Sequence, residues 1–190
     1  MINMNRVKLN DIAEVQTGLS YRRYLEEEGK QFDVIVQRSI QKDGILGDFE
    51  KINLNSQNIK PHHLTRNGDV LMKMPYPYDV VCVNQSGLVI SDRIAIIRLD
   101  HHHDPSFIAH LLTNAHVKKQ LYKLSSTERI PHASLRQIKE LELVVPDFET
   151  QRKYGELLDT INEKLYQDQK VVDYDRNLKE GILNKLWGEF

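Results

Sequence analysis

Two spacings of apolar residues divide the chain. From Val7 to Leu99 they come in short alternating or continuous runs; from Phe107 onward they recur every three or four positions. Val7-Lys8-Leu9 reads as a short strand, and Asn10 to Val15 as a helix of one to two turns, capped by Asn10 and stopped near Gly18. A polar loop follows with Tyr21-Arg22-Arg23-Tyr24 and then Glu26-Glu27-Glu28. Val34 and Val36, spaced by Asp33, Ile35 and Gln37, predict a strand over 33–38, with Lys42-Asp43-Gly44 as a turn and further extended pieces within 45–54. Arg66-Asn67-Gly68-Asp69 predicts a tight turn into a strand over 70–74, because Asn-Gly accepts positive φ. Strands over 80–83 and 93–99 complete a β-rich middle. Ile94-Ala95-Ile96-Ile97 is apolar at successive positions, as expected of a central strand covered on both faces.

After Asp104-Pro105 the period becomes helical. Phe107, Ile108, Leu111, Leu112 and Ala115, then Val117, Leu121 and Leu124, describe one bent helix or two meeting near Asn114. The stretch from Ile130 to Phe190 predicts a short helix over 134–140, a strand over 141–145, and then one long helix. Pro146 holds its predecessor extended, Asp147 can cap the free N–H groups, and Glu149 sits where the helix dipole favours negative charge. Tyr154, Leu158, Ile161 and Leu165 alternate spacings of four and three. The pattern meets Asp168, recovers at Val172, slips one position and continues at Leu178, Ile182 and Leu186, an imperfect heptad seam. Forty helical residues span roughly 60 Å, more than a small domain can cover. The fold class is therefore α+β: a small β-rich domain with flanking helices over 1–146, followed by a long coiled-coil helix over 147–190.

Composition adds few constraints. At 190 residues, 40% hydrophobic and 28% charged, the chain fits one domain with an appendage, and no apolar run approaches the roughly 18 residues needed to cross a bilayer. The start, Met1-Ile2-Asn3-Met4-Asn5-Arg6, lacks the apolar core of a secretion signal, and the single Cys82 has no partner for an intrachain disulfide; both place the chain in the cytoplasm. Residues 1–146 carry 19 Lys+Arg against 17 Asp+Glu, and 147–190 carry 7 against 10. That balance is far from the strongly basic footprint usual in nucleic-acid binders, so charge alone does not suggest DNA.

Candidate chemistry is sparse. Asp100-His101-His102-His103-Asp104 could supply metal ligands, but adjacent loop residues do not all converge on one ion, and a solvated connection explains them as well. His62-His63 reads as a surface turn, and His110 and His116 fall within helical periodicity. The chain has no phosphate-binding Gly-rich loop, nucleophile elbow or zinc-protease helix. Tyr21-Arg22-Arg23-Tyr24, cations between aromatics, suits phosphate contact and base stacking, against which the three glutamates argue for a solvated surface.

Taken in order, the motifs resemble one half of a type I restriction-modification specificity subunit. Val7 to Val15 with Gly18 resembles that family's opening, and Asn67-Gly68-Asp69-Val70-Leu71 its Gly-Asp-hydrophobic strand. Arg93 to Leu99 with Asp104-Pro105 to Leu112 resembles the strand and helix that follow. Ser134-Leu135 to Val145 leads into Pro146-Asp147-Phe148-Glu149-Thr150-Gln151, similar to the family's Pro-x-Leu-x-Glu-Gln helix start. Phe148 stands in place of Leu, Thr150 where Glu is common, and Met74-Pro75-Tyr76-Pro77-Tyr78 in place of a more glycine-rich stretch.

The resemblance implies a non-catalytic DNA-reading subunit with one target-recognition domain and one spacer helix, where the family's full-length members have two of each. It implies no catalytic residues, no metal and no cofactor of its own. Methyltransferase subunits would bind along the long helix and bring S-adenosylmethionine and catalysis, with an endonuclease or translocase subunit engaged indirectly. A second copy would complete the pair of helices through Tyr154, Leu158, Ile161, Leu165, Val172, Leu178, Ile182 and Leu186, giving a homodimer on double-stranded DNA that reads a two-part site with inverted halves. The expected DNA contacts are Arg22, Arg23, Tyr24, Gln37, Arg38, Lys42, Lys73, Tyr76, Tyr78, Asn84, Gln85 and Arg93. Two other classes stay open: an interaction protein that sequesters methyltransferase subunits through the helix without reading DNA, and an enzyme using His101 to His103 with a metal.

Overall fold

The computed structural model describes residues 4–125 and 131–188. Ile130, and the side chains of Asp43 and Leu124, lie outside the described residues. β1 (Asn5–Lys8) pairs antiparallel with β9 (Glu142–Val145), Asn5 opposite Val145, which brings the start of the domain beside its last strand. The helix expected from Asn10 to Val15 is one turn only: α1 (Leu9–Ile12) buries Leu9 and Ile12, with Lys8 rather than Asn10 at the cap position. Ala13–Thr17 is strand β2 instead. A six-residue segment with apolar residues at 12 and 15 fits either period. The strand wins because five of its residues pair with β8 (Ile94–Leu99), a ladder that a short isolated helix cannot match.

β8 is the centre of a four-stranded antiparallel sheet in the order β2, β8, β5 (Asp69–Lys73), β6 (Val80–Val83). Ile94, Ala95, Ile96 and Ile97 have no exposed surface. Ala95 and Ile97 pack with Leu9, Val70, Met72 and the helices, whereas Ile94 and Ile96 pack on the opposite face with Ile35, Ile40, Leu71 and Ile90. The run is doubly covered as its continuous hydrophobicity predicts.

The turn before β5 does more than reverse the chain. Asp69 is buried and receives two bonds from Arg98, Nε to Oδ1 at 3.0 Å and an Nη to Oδ2 at 3.2 Å, while Arg66 N–H donates to Oδ2 at 2.8 Å. A buried bidentate pair of this kind satisfies the carboxylate fully.

The second sheet runs β4 (Glu50–Leu54), β3 (Leu25–Ile35), β7 (Val89–Ile90), with β3 and β7 parallel. The strand expected over 33–38 ends earlier, at Ile35, and a 3-10 turn occupies Gln37–Ser39. It also begins earlier, so Glu26, Glu27 and Glu28 lie on an exposed part of β3, where the register slips between Leu25 and Lys30, both opposite Leu54. Exposure at this slip in register gives these residues the polarity of a loop.

α2 (Pro105–Thr113) and α3 (Ala115–Ser125) are two helices separated at Asn114, and α4 (Leu135–Lys139) is capped by Ser134. α5 (Phe148–Gly188) is continuous for 41 residues, roughly 60 Å. Thr150 N–H donates to Asp147 Oδ1 at 3.0 Å and the Thr150 hydroxyl to Oδ2 at 2.9 Å; these bonds hold the Asp147 carboxyl below its usual range.

The first turns of α5 dock on α2 through a polar stripe. Gln151, 2% exposed, donates Nε2 to Pro146 O at 2.8 Å and accepts from Asp104 N at Oε1, 3.1 Å. One turn on, Gly155 lies so near α2 that a Cβ there would sit 2.7 Å from Asp104 Oδ1 and 3.2 Å from Phe107 N. Asp159 Oδ1 then accepts from Ser106 Oγ at 2.7 Å and lies 2.9 Å from His110 Nε2. The seam residues Tyr154, Ile161, Leu165, Val172, Leu178, Ile182 and Leu186 are all more than 40% exposed, and Leu158 is half-buried.

Two stability outcomes follow from this packing. Asp69→Ala should lower unfolding free energy in urea by about 3–5 kcal/mol, because it strands a buried guanidinium. Gly155→Leu should cost about 1–3 kcal/mol and free α5 from α2, read as faster proteolysis between Pro146 and Asn162 while the sheet core keeps its hydrogen-exchange protection.

Candidate nucleic-acid interface

Three segments distant in sequence are bound into one platform by backbone hydrogen bonds. Leu19 N donates to Ile90 O at 2.6 Å, Asp92 N to Leu19 O at 3.1 Å, and Ser91 N to Ile35 O at 3.0 Å. Gly18 makes the crossing possible: a Cβ there would lie 2.1 Å from Ile90 O. The platform carries the 3-10 turn Tyr21–Tyr24, the 3-10 turn Gln37–Ser39 and the tight turn at Asp92-Arg93.

These turns enclose an open cleft of about 490 Å³ with Tyr21 and Val36 as an apolar floor. Its walls bear Arg22, Arg23, Arg38 and Arg93 against only Glu50 and Asp92, so the cleft is positive within a near-neutral domain. Arg38 is held by Glu50 at 3.0 Å. Asp92 accepts from Ser20 Oγ at 2.6 Å and Ser91 Oγ at 3.4 Å. A hydrogen bond with the Tyr21 side chain raises the Arg22 guanidinium further above its already high ordinary pKa, so it stays charged at any working pH. Among the described residues the Arg23 and Arg93 guanidinium groups have no hydrogen-bond or ion-pair partner. Gln37 Nε2 is buried without a partner, an amide that an incoming acceptor would satisfy if the side chain turned into the cleft. Rigidly mounted, partly unpaired arginines are suited to phosphate and to the guanine edge alike.

Five of the twelve expected contact residues, Arg22, Arg23, Gln37, Arg38 and Arg93, thus meet in one cleft. Tyr24 stands beside it, half-buried against Phe32 and Leu54. The others lie elsewhere. Tyr78 is fully buried, which removes its ring from any reading loop and assigns it to the core. Lys73 is spent on Asp79, Nζ to Oδ2 at 2.9 Å, with its side chain 17% exposed; it is a structural ion pair rather than a free cation. Tyr76 is exposed on the turn between β5 and β6. Asn84 and Gln85 are exposed but follow β6 at the opposite end of the sheet from Arg93, since Asp69 faces Val83 and Lys73 faces Ile94.

Lys42 and Asn84 line a second groove, about 680 Å³, between α5 and the domain. Asp79, Asp159 and Glu163 share it, which makes it poorly suited to a phosphate backbone. Cys82 also borders it; burial pushes its thiol up to about 12, so it is unreactive at neutral pH. His103 Nδ1 lies 2.8 Å from Asp100, and among the described residues no group of three His, Cys, Asp or Glu could hold a metal ion. No described helix is long and apolar enough to cross a membrane.

Sequence reading missed Ser20, Glu50 and Ser91 as parts of the cleft. Ser20 and Asp92 are 72 residues apart and carry no motif; only the backbone crossing at Gly18 joins them.

Comparison with solved structures finds the same fold. The HsdS subunit of Thermoanaerobacter tengcongensis superposes with a TM-score of 0.69 at 17% identity, covering 88% of this chain and 44% of that one. The type I restriction-modification S subunit of M. genitalium gives 0.57 at 20% identity over 88% of this chain and 41% of that one. A chain from a structure titled for complex assembly and conformational transition of the type I R-M system gives 0.62 at 18%, covering 86% and 39%. This chain therefore spans less than half the length of the structures it matches. No curated protein matches it in sequence. Residues 1–171 match the family model described as the type I restriction modification DNA specificity domain, and the chain belongs to that family.

Proposed function

We propose that the chain reads DNA for a type I restriction-modification system: residues 1–146 read one half of a two-part DNA site, and residues 147–190 form a spacer helix that pairs with a second copy. The arginine cleft is the observation that supports the reading most. Its cations come from three segments locked by backbone bonds, the pre-organisation that base-edge recognition needs. Arg22, Arg23, Arg38 and Arg93 would hold phosphate or guanine, and Gln37 would address a base. Tyr24 and Tyr76 would stack at the margins, while Lys42, Asn84 and Gln85 would touch DNA only if the duplex wraps beyond this face.

The long helix supports the second half of the reading. Its docked stripe, Gln151 to Asn162, and its apolar seam, Tyr154 to Leu165, point about 90° apart at 3.6 residues per turn. Docking on α2 therefore leaves the seam free for a partner helix. Methyltransferase subunits would bind along the same rod and supply S-adenosylmethionine and catalysis, with an endonuclease subunit recruited through them. The chain supplies address rather than chemistry, and its DNA partner places it in the cytoplasm. Among the described residues no site favours the metal-enzyme alternative.

Two measurements test these assignments. Selection from a random duplex pool should yield a bipartite consensus; Arg22→Ala or Arg23→Ala should then weaken binding to the selected duplex about 10-fold, whereas Lys73→Ala should act on stability and leave the affinity of the folded fraction unchanged. A random pool with no enrichment would remove the DNA-reading role. Sedimentation should show a dimer, and Ile161→Glu combined with Leu165→Glu should weaken self-association by more than about 100-fold, each apolar side chain in a seam contributing roughly 1.5–3 kcal/mol. A wild-type monomer at micromolar concentration would sink the paired rod.

A further inference from the structure

Residues 105–127 contain three lysines and two histidines but no Asp or Glu, although 27 acids in 190 residues would put about three in a stretch of that length. Its second part is α3. Val117 and Leu121 bury one side of that helix, and the solvent side carries His116, Lys119, Tyr122 and Lys123, spaced three and four apart. Lys118, toward the groove, lies 3.9 Å from Asp79. Lys119 and Lys123 have no ion-pair partner among the described residues.

Tyr122, 51% exposed, stands edge-on to Tyr76, 56% exposed, with ring centroids 6.3 Å apart. Two large aromatics left in solvent beside lysines with no ion-pair partner among the described residues are a poor surface for a monomer and a good one for a nucleic-acid backbone, which takes charge from lysine and hydrogen bonds from tyrosine hydroxyls. The pair is fixed in place. Tyr76 N donates to Pro131 O at 2.9 Å, Ala133 N to Met74 O at 2.8 Å, and Met74 N to Arg93 O at 3.1 Å. This last bond joins the aromatic pair to the wall of the arginine cleft.

We propose that the exposed face of α3, Lys119, Tyr122 and Lys123 with Tyr76, is a second DNA-contact surface that grips the duplex backbone beside the bases addressed from the arginine cleft. It rests on the DNA-reading role proposed above and adds the division of labour: the cleft discriminates sequence, and α3 contributes affinity without discrimination. Lysine is suited to this task, being a flexible point charge that follows phosphates without demanding a planar fork.

The test uses the full-length chain and two labelled duplexes, one of random sequence and one selected by the wild type. Lys119→Ala/Lys123→Ala should weaken binding to both duplexes by the same factor, about 10-fold at low salt, and reduce the slope of log affinity against log salt by nearly two. Tyr122→Ala should weaken both without changing the slope. All three side chains are exposed, so melting temperature should not move, and the consensus selected by the double variant should equal that of the wild type. An unchanged affinity and slope in the double variant would overturn the proposal, and so would intact DNA binding with lost methyltransferase association, which would give the face to a protein partner. A wild-type chain that binds neither duplex would instead sink the DNA-reading role itself.

Discussion

The docking of α5 on α2 is the constraint on which the use of this molecule depends. A rod of roughly 60 Å converts a small angular error at its root into a large displacement at its tip. The root is accordingly built from directional contacts. Gln151 is buried with both ends of its amide satisfied, one by the carbonyl of Pro146 and one by the N–H of Asp104. Apolar packing alone would permit sliding, whereas a buried amide bonded to two fixed backbone atoms permits one register. Gly155 and Asp159 continue the same stripe, the first by allowing contact with backbone and the second by bonding Ser106 and His110. The Pro146 to Gln151 signature is thus a joint as well as a helix start.

The same economy governs charge. A domain with nearly balanced cations and anions cannot attract DNA in bulk, so on the function proposed above its few arginines would have to act by position. Two of the cleft's charges, Arg38 and Asp92, are already engaged by Glu50 and by serine hydroxyls. A phosphate or base entering the cleft would have to compete with those partners, which would raise the cost of a wrong fit more than that of a right one. Asp69 and Arg98 show the opposite use of the same chemistry: buried and mutually saturated, they orient the entry to β5 and present nothing to a ligand.

Much of the fold could be read from the chain, for identifiable reasons. β8 announces itself because four successive apolar residues have no polar face to expose, and α5 because nothing after Pro146 interrupts it. Residues 9 to 17 misled because a one-turn helix followed at once by a strand has no period long enough to detect. β3 was foreshortened because its glutamates face solvent at a slip in register, where strand and loop share a composition. At the site, local cues single out Tyr21 to Tyr24, where charge and aromatic residues cluster, and Tyr21, Arg22 and Arg23 of that run line the cleft. They failed for Lys73 and Tyr78, since the Asp79 partner and the core environment are tertiary facts. The acid-free stretch through α3 is present in the sequence, but helical periodicity reports only its apolar residues and not what the other face lacks.

The geometry of α5 also bears on how the helix could hold its own domain and a partner at once. A helix that used its apolar stripe to dock on its own domain would have nothing left for a partner. Here the docked stripe is polar and glycine-bearing, and the apolar one lies about a quarter turn away, so the two contacts do not compete. Beyond Tyr166 the rod leaves the domain with its apolar side chains uncovered, Leu178, Ile182 and Leu186 of the seam each about half exposed and Val171, Tyr174, Leu183 and Trp187 exposed outside it. In an antiparallel pair these distal residues of one copy would lie against the proximal seam of the other, from Tyr154 to Leu165. The weak heptad around Asp168 would then fall near the two-fold axis, where a slip in the pattern is shared by both helices and disturbs neither end.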